Sequence, residues 1–414
     1  MGARLPSGGP YVGERAESSA RRPGRITGVD IARCLALLGM MATHILYATD
    51  PSGDRVTWHQ QIAGGRSAAL FAVLAGVSVA LVTGRGQPLH GRGLSASRAG
   101  LVARALAIGL VGLLLGELES GVAVILTYYA MLFVLALPFI GLGARALAAL
   151  AVGWALLAPV LSHLVRAQLD PPLLVSPSVE LLVAEPVALL TELTLTGFYP
   201  AFSWLAYLFA GMAVGRCRLD SNRVAVRLTL LGGALALVTW SLATLLLHRG
   251  GGLAVLESSV PKSFPLEGSL EQGLVHGFYG TTPPTSWWWL TVWAPHSSTP
   301  IDLLHTIGTS LLVLGLSLLA GRLLPRLLGV LFAAGTMTLT LYTLHVWALS
   351  AELGPPRGTW SLYAAHVGAT LVLGALWRWS VGRGPLERAV AAASRTATDR
   401  ALHLPLDPHP PPPR

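Results

Sequence analysis

The chain has 414 residues, of which 53% are hydrophobic and 12% charged, with a mean hydropathy of +0.60 and a formal net charge of +9. A soluble domain carries roughly 25% charged residues, so this composition excludes an ordinary soluble enzyme and points to a polytopic α-helical membrane protein. The positive excess gathers in alternate connectors between apolar runs, where it sets topology and gives no nucleic-acid signal.

Residues 1–25 are rich in Gly, Pro, Ser and Arg and read as a disordered basic tail held inside. A cleaved signal peptide is the alternative. The long polar lead and the full-length apolar run behind it argue against that. Span 1, about 31–49, runs outward and carries Arg33 near its start and His44 near its end. At 1.5 Å rise per residue the two lie roughly 16 Å apart along a helix, one near an interface and the other deep in the opposite half. Span 2, about 62–82, returns inward and is rich in Gly, Ala and Ser, which permits close helix approach. Arg85, Arg92 and Arg98 mark the next connector as internal. Span 3 (99–116) ends at an external acidic turn, Glu117 to Glu119. Spans 4 (121–140) and 5 (146–165) flank internal Arg145.

The segment 166–196 is expected to be external and partly a short interfacial helix. Span 6 (197–215) leads to the clearest internal loop, with Arg216, Arg218, Arg223 and Arg227. Span 7 (226–247) precedes the longest external connector, 248–299. Spans 8 (301–320), 9 (328–349) and 10 (359–380) follow, separated inside by Arg322 and Arg326. The fold class is therefore all-α, a transmembrane bundle of about ten spans occupying 26–383, with both termini cytoplasmic. The tail 384–414 starts with a possible surface helix, LERAVAAASR, and ends in a Pro-rich stretch that cannot pack. Cys34 and Cys217 both fall on the predicted cytoplasmic side, so neither a disulfide nor a metal site is expected of them.

Ionisable residues within spans are costly and mark functional hypotheses. Several share the outer half or outer mouth: His44, His59 in the first external connector, Asp302 and His305 at the start of span 8, and His345 near the end of span 9. Arg66 and Glu117 lie there too. A histidine surrounded by hydrocarbon stays neutral and can accept a proton, and a carboxylate such as Asp302 could orient it. Simpler readings stand beside these. Arg33 could snorkel, His44 could make a polar contact between helices, and Asp302 could answer the dipole of span 8, since Ser297, Ser298, Thr299 and Pro300 precede it. The aromatic run Trp287, Trp288, Trp289 and Trp293 reads as an interfacial belt or lid, or else as a stacking platform for sugar rings. No phosphate loop, HExxH motif or zinc-type Cys/His spacing occurs. No internal repeat of the transporter kind is seen.

GVDIARCLALLGMMATH at 28–44, followed by a loop and GRSAALFAVLAGVSVAL at 65–81, resembles the opening of bacterial membrane proteins related to heparan-α-glucosaminide N-acetyltransferase. PIDLLHTIGTSLLVLGL and TLTLYTLHVWAL resemble a companion uncharacterised membrane family, which divides the bundle at about residue 220. The Arg33–His44 spacing is also similar to the arginine–histidine signature of the broader transmembrane acyltransferases. That resemblance implies acyl transfer at His44, with Arg33 towards the acyl-CoA side. In the heparan enzyme the position matching His44 is an asparagine and the implicated histidine lies in the following loop, where His59 is the nearest candidate here. The two histidines compete for one role.

The leading expectation is a membrane-embedded acyltransferase of the cell membrane. It would move an acetyl or acyl group from cytoplasmic acyl-CoA, acetyl-CoA foremost, to an extracytoplasmic glycan or lipid-linked acceptor, with no permanently bound cofactor. A small-molecule permease using a proton-relay histidine, and a non-catalytic membrane protein, are the alternatives.

Overall fold

In a bilayer no water is available to the backbone, so every peptide group must find its partner within the chain, and helices are the solution for apolar runs of this length. The computed structural model describes residues 25–50, 55–261 and 269–403. The expected N-terminal tail up to residue 24 and the Pro-rich end from residue 404 lie outside the described residues.

The helices run in order α1 (Thr27–Ile45), α2 (Trp58–Ala63), α3 (Arg66–Val82), α4 (Gly91–Gly116), α5 (Leu126–Ala136), α6 (Ala144–Arg166), α7 (Val179–Ala184), α8 (Pro186–Thr191), α9 (Ala201–Gly215), α10 (Asn222–Thr244), α11 (Gly252–Ser259), α12 (Leu270–His276), α13 (Pro300–Leu323), α14 (Pro325–Leu331), α15 (Thr338–Ser350), α16 (Trp360–Ser380) and α17 (Pro385–His403). Among the described residues, two that pair as an isolated bridge, Thr49 and Val56, are the one trace of extended pairing.

Seven segments are long and apolar enough to cross a membrane: Thr27–Ile45, Trp58–Val82, Gly91–Gly116, Ala144–Arg166, Asn222–Arg249, Pro300–Leu323 and Trp360–Ser380. An eighth is reached if Pro186–Thr196 and Ala201–Gly215, bent by 52°, count as one span. About ten were expected. The shortfall has local causes. The expected span 4 is helical only over Leu126–Phe139. Span 6 starts late because Pro200 caps α9 after a break at Gly197. Span 9 is split by a 3₁₀ turn at Ala333–Thr336. That break is tied to α1: a Cβ on Gly335 would lie 1.9 Å from the Asp30 carbonyl oxygen. The backbone amides that the break frees at the start of α15 are answered from α17. The Glu387 carboxylate accepts from Leu339 N (2.7 Å) and Thr340 N (3.1 Å), which also places negative charge at a helix N-terminus. The expected surface helix is thus α17, and it packs lengthwise on α4.

The first helix is enclosed. It packs against α2, α3, α13, α14, α15, α16 and the 333–336 turn, and Ala32, Cys34, Ala36, Leu37 and Met41 are fully buried. The small residues expected to allow close approach in span 2 do so where α3 crosses α9. A Cβ on Gly211 would come within 1.9 Å of the Val73 carbonyl, and one on Gly76 within 2.2 Å of the Leu208 carbonyl.

The connectors gather at two ends. At the Arg-rich end Arg216 donates to carbonyls of Ala80, Thr83, Arg85 and Ile140, closing two loops with one guanidinium. At the other end Phe278 N donates to Pro295 O and Gly358 N to Ile45 O. There the segment after α10 builds its own small core from Leu247, Leu256, Leu270, Phe278, Trp289, Val292 and Ala294. The tryptophan run divides accordingly. Trp289 is fully buried in this core, while Trp287 is exposed and lies against His163.

Gly211→Ala forces a methyl group into backbone and should destabilise by about 1–3 kcal/mol or more. Gly153→Ala, on α6 with open space where its Cβ would be, should leave the melting temperature unchanged or raised. Thermal unfolding of the detergent-solubilised variants checks both.

Candidate functional site

A cavity of about 740 Å³ opens between the outer half of α1 and the outer connectors. Met40, Thr43 and His44 form its α1 wall. Other polar groups on it include Gln60, Tyr199, His276, His296 and Tyr342. Hydrogen bonds between connectors hold its rim. Gln60 Nε2 donates to the His276 carbonyl (3.1 Å), Tyr199 Oη to the Ala123 carbonyl (3.2 Å), and Gly280 N to the His296 carbonyl (2.9 Å). The Tyr342 hydroxyl accepts from Ile125 N (3.4 Å).

His44 is the expected site residue that faces this space. Its Nδ1 lies 3.1 Å from His345 Nε2. The two rings are tilted by only 16° with centroids 5.3 Å apart, the separation of two imidazoles joined edge to edge rather than face to face. Among the described residues no protein atom bonds Nε2 of His44, so that nitrogen is left for a ligand in the cavity. His345 does not reach the cavity and stands behind His44. His345 Nδ1 in turn lies 2.9 Å from His366 Nδ1, on α16.

The other expected residues are placed differently. His59 turns away from the cavity. Its Nε2 is shared by the Tyr47 carbonyl and the Thr57 hydroxyl, both at 3.0 Å, and its ring packs edge-on to Trp360. Among the described residues no imidazole bonds Asp302. Its Oδ2 accepts from Ser298 N (3.1 Å), while its own amide donates to Thr299 Oγ1 (3.1 Å), so Thr299 caps α13 and Asp302, in the first turn, reaches back to the amide before the cap. His305 diverges from it towards α10, with Nδ1 3.0 Å from the Ala236 carbonyl and the ring edge-on to Trp293. Arg66 lies over the Trp293 ring at 5.3 Å and its field reaches Asp302. Arg33 sits about three turns below His44, donates to Ser78 Oγ (2.5 Å), and pairs with Asp30 at 3.6 Å. Cys34 and Leu37, which lie between it and His44 along α1, are fully buried, and neither they nor Arg33 line the cavity. Glu117 accepts from Glu180 N (2.9 Å) and ties the 117–119 turn to α7.

His296 is a site residue that the sequence did not single out. It lies in the connector before α13 with a left-handed backbone, φ +55°. Its ring is stacked on Trp204 and edge-on to Tyr199, and its Nδ1 is buried without a partner. Burial pulls its pKa down to about 4, so the ring is a neutral acceptor at pH 7. Arg104, on α4, was not singled out either and lies away from the cavity lining. Its guanidinium lies over Phe133, and its Nε is buried without a partner near Arg33.

Residues 25–249 match the family described as heparan-alpha-glucosaminide N-acetyltransferase, catalytic. No curated protein matches the chain. The match covers α1, α3 and the Arg33–His44 pair, and it ends before α12, α15 and α16, which supply His276, His345 and His366.

Because the unfolded His296 titrates near 6.5 and the folded one near 4, the unfolded chain binds the extra proton between those values. Stability contributed by the neutral ring is complete above pH 6.5 and is lost as pH falls towards 4. Asparagine tolerates the same backbone. His296→Asn should therefore keep the fold and flatten the decline of melting temperature between pH 6.5 and 4.

Proposed function

The chain belongs to the heparan-alpha-glucosaminide N-acetyltransferase catalytic family, and on that footing we propose that it transfers an acetyl group from cytoplasmic acetyl-CoA to a sugar amine or hydroxyl on the other side of the membrane. Membership makes it a multi-pass membrane acetyltransferase. The donor, the acceptor class and the site at His44 are the proposal, as are placement in the cell membrane and the cytoplasmic setting of both termini. The observation that carries it is His44: one nitrogen is held by protein, and the other is open to a cavity large enough for a sugar ring.

The Arg-rich end faces the cytoplasm by the positive-inside rule. Its arginines favour the phosphates of the thioester substrate, and Arg33 and Arg104 are near enough to each other to add their positive fields. The acceptor enters from the opposite end, where Gln60, Tyr199 and His296 offer hydrogen bonds to a glycan. His44 Nε2 takes the proton of the attacking amine or hydroxyl as its nitrogen or oxygen bonds the acetyl carbon, and the thiolate of CoA leaves. Because Cys34 and Leu37, between Arg33 and His44 along α1, are fully buried, delivery of the acetyl group requires side chains on this stretch of α1 to move aside.

Asp302 acts here by fixing the start of α13 and with it the connector that carries His296. His59 fixes the turn after α1 through Tyr47. Both are positioning residues.

His44→Ala should lower acetyl transfer by about 100-fold or more, the scale of a lost general base, with insertion retained and the melting temperature lowered only by the loss of the His345 contact. Transfer assayed with acetyl-CoA and glucosamine in proteoliposomes checks this, and full activity in the variant would remove His44 from the chemistry.

A further inference from the structure

We propose that His44, His345 and His366 form a proton wire that carries the proton taken at the cavity away to α16. This rests on the reading of His44 as the base. The three imidazoles come from α1, α15 and α16, and their nitrogens meet in series, His44 Nδ1 to His345 Nε2 at 3.1 Å and His345 Nδ1 to His366 Nδ1 at 2.9 Å. Each nitrogen points at the next ring and not at a shared centre. His345 is almost completely enclosed, 3% exposed, so it has no contact with bulk water and serves only its two neighbours. An isolated histidine pair would satisfy burial. A third ring in series, with each link at hydrogen-bond distance, does more than that.

The chain of bonds has a direction. Each of the two links needs one proton between its nitrogens. For His44 Nε2 to present a lone pair to the cavity, its proton must sit on Nδ1 and point to His345 Nε2. His345 then carries its proton on Nδ1 and donates to His366 Nδ1, and His366 carries its own on Nε2. When His44 Nε2 takes a proton from the acceptor, the acceptor N–H or O–H breaks and an Nε2–H forms. The Nδ1–H of His44 passes to His345 Nε2, and the Nδ1–H of His345 passes to His366 Nδ1. The positive charge ends on His366, with all three rings otherwise neutral. Reversal of the same shifts returns a proton to His44 Nδ1, and the thiolate that leaves then takes the Nε2–H, which restores the starting tautomers.

The surroundings favour moving that charge. The charged or titratable groups that face His44 are His296, from the connector before α13, and Arg357, from the connector before α16, with the Tyr342 ring of α15 edge-on at 6.4 Å. Arg357 also faces His345. It is held by the carbonyls of Ser120 and Leu349, with no carboxylate among those partners. An imidazolium at His44 would thus stand in a positive field without a counter-charge, and each step along the wire carries it outward from the cavity.

The test uses the full-length protein in proteoliposomes with acetyl-CoA and glucosamine. His366→Asn places an amide where Nδ1 was, keeping a hydrogen bond to His345 but no site that can take up a proton. His366→Phe removes both. The wire predicts that both variants lose about tenfold or more in kcat, with KM for acetyl-CoA within twofold. It further predicts that the curved proton inventory of the wild type in H₂O–D₂O mixtures becomes linear in His366→Asn. If the phenylalanine variant does not fold, the asparagine variant decides. A His366→Asn protein with wild-type kcat and a curved inventory would overturn the wire, since a purely structural role is rescued by the amide. The same series separates the two claims. Loss of activity in His44→Ala together with full activity in His366→Asn removes the wire and keeps His44 as the base. Full activity in His44→Ala, or no turnover by the wild type, removes the transferase reading at His44 itself and the wire with it.

Discussion

The contact between His44 and His345 joins residues 301 apart in the chain, and the arrangement of the outer half follows from it. A polar nitrogen inside a bilayer costs several kcal/mol unless it finds a partner within the protein. Helix α1 is enclosed by its neighbours, so His44 has protein on one side and the cavity on the other. Satisfying Nδ1 with a second imidazole fixes the ring's plane and aims Nε2 at the open space. A base whose orientation is set by packing and one hydrogen bond costs little reorganisation when substrate arrives.

That placement depends in turn on features far from it. Glycines at the α3–α9 crossing bring two backbones together. Gly335 lets the 333–336 turn rest against Asp30 of α1, so α15 starts at the right depth to carry His345 to His44. Glu387 then holds the start of α15 from outside the bundle. At the outer end, the small core around Trp289 supports the connector that carries His276 and His296 over the cavity. Irregular backbone at this depth is tolerated because it lines a cavity or is buried in protein.

Much of the fold was legible because lipid imposes a one-dimensional rule: long apolar runs become helices, and arginines mark one end. Arg33 and His44 stood out by the same rule, as ionisable residues in an apolar run. The two breaks differ. At 197–200 Gly197 and Pro200 carry a local signal, whereas at 332–337 the composition stays apolar and what interrupts the helix is a tertiary approach, Gly335 against Asp30, that leaves no periodic trace. The site was legible on α1 alone. Asp302 and His305 share a helix face by spacing, yet one turns to the Ser298 amide and the other to the Ala236 carbonyl. His366 could have been found, since it is the one ionisable residue in the apolar body of α16 before Arg378. His296 could not, because its left-handed backbone and its stacking on Trp204 arise only in the fold. Arg104 could also have been found, since it lies inside the apolar run 99–116.

The central claim is that donor and acceptor meet at His44 from opposite faces of the membrane. The most direct measurement traps radiolabelled acetyl-CoA inside vesicles whose Arg-rich end faces inward, with glucosamine supplied only outside. Labelled N-acetylglucosamine accumulating outside while acetyl-CoA stays enclosed is the predicted result. Product formed only when both substrates share one face, whichever face it is, would contradict the claim.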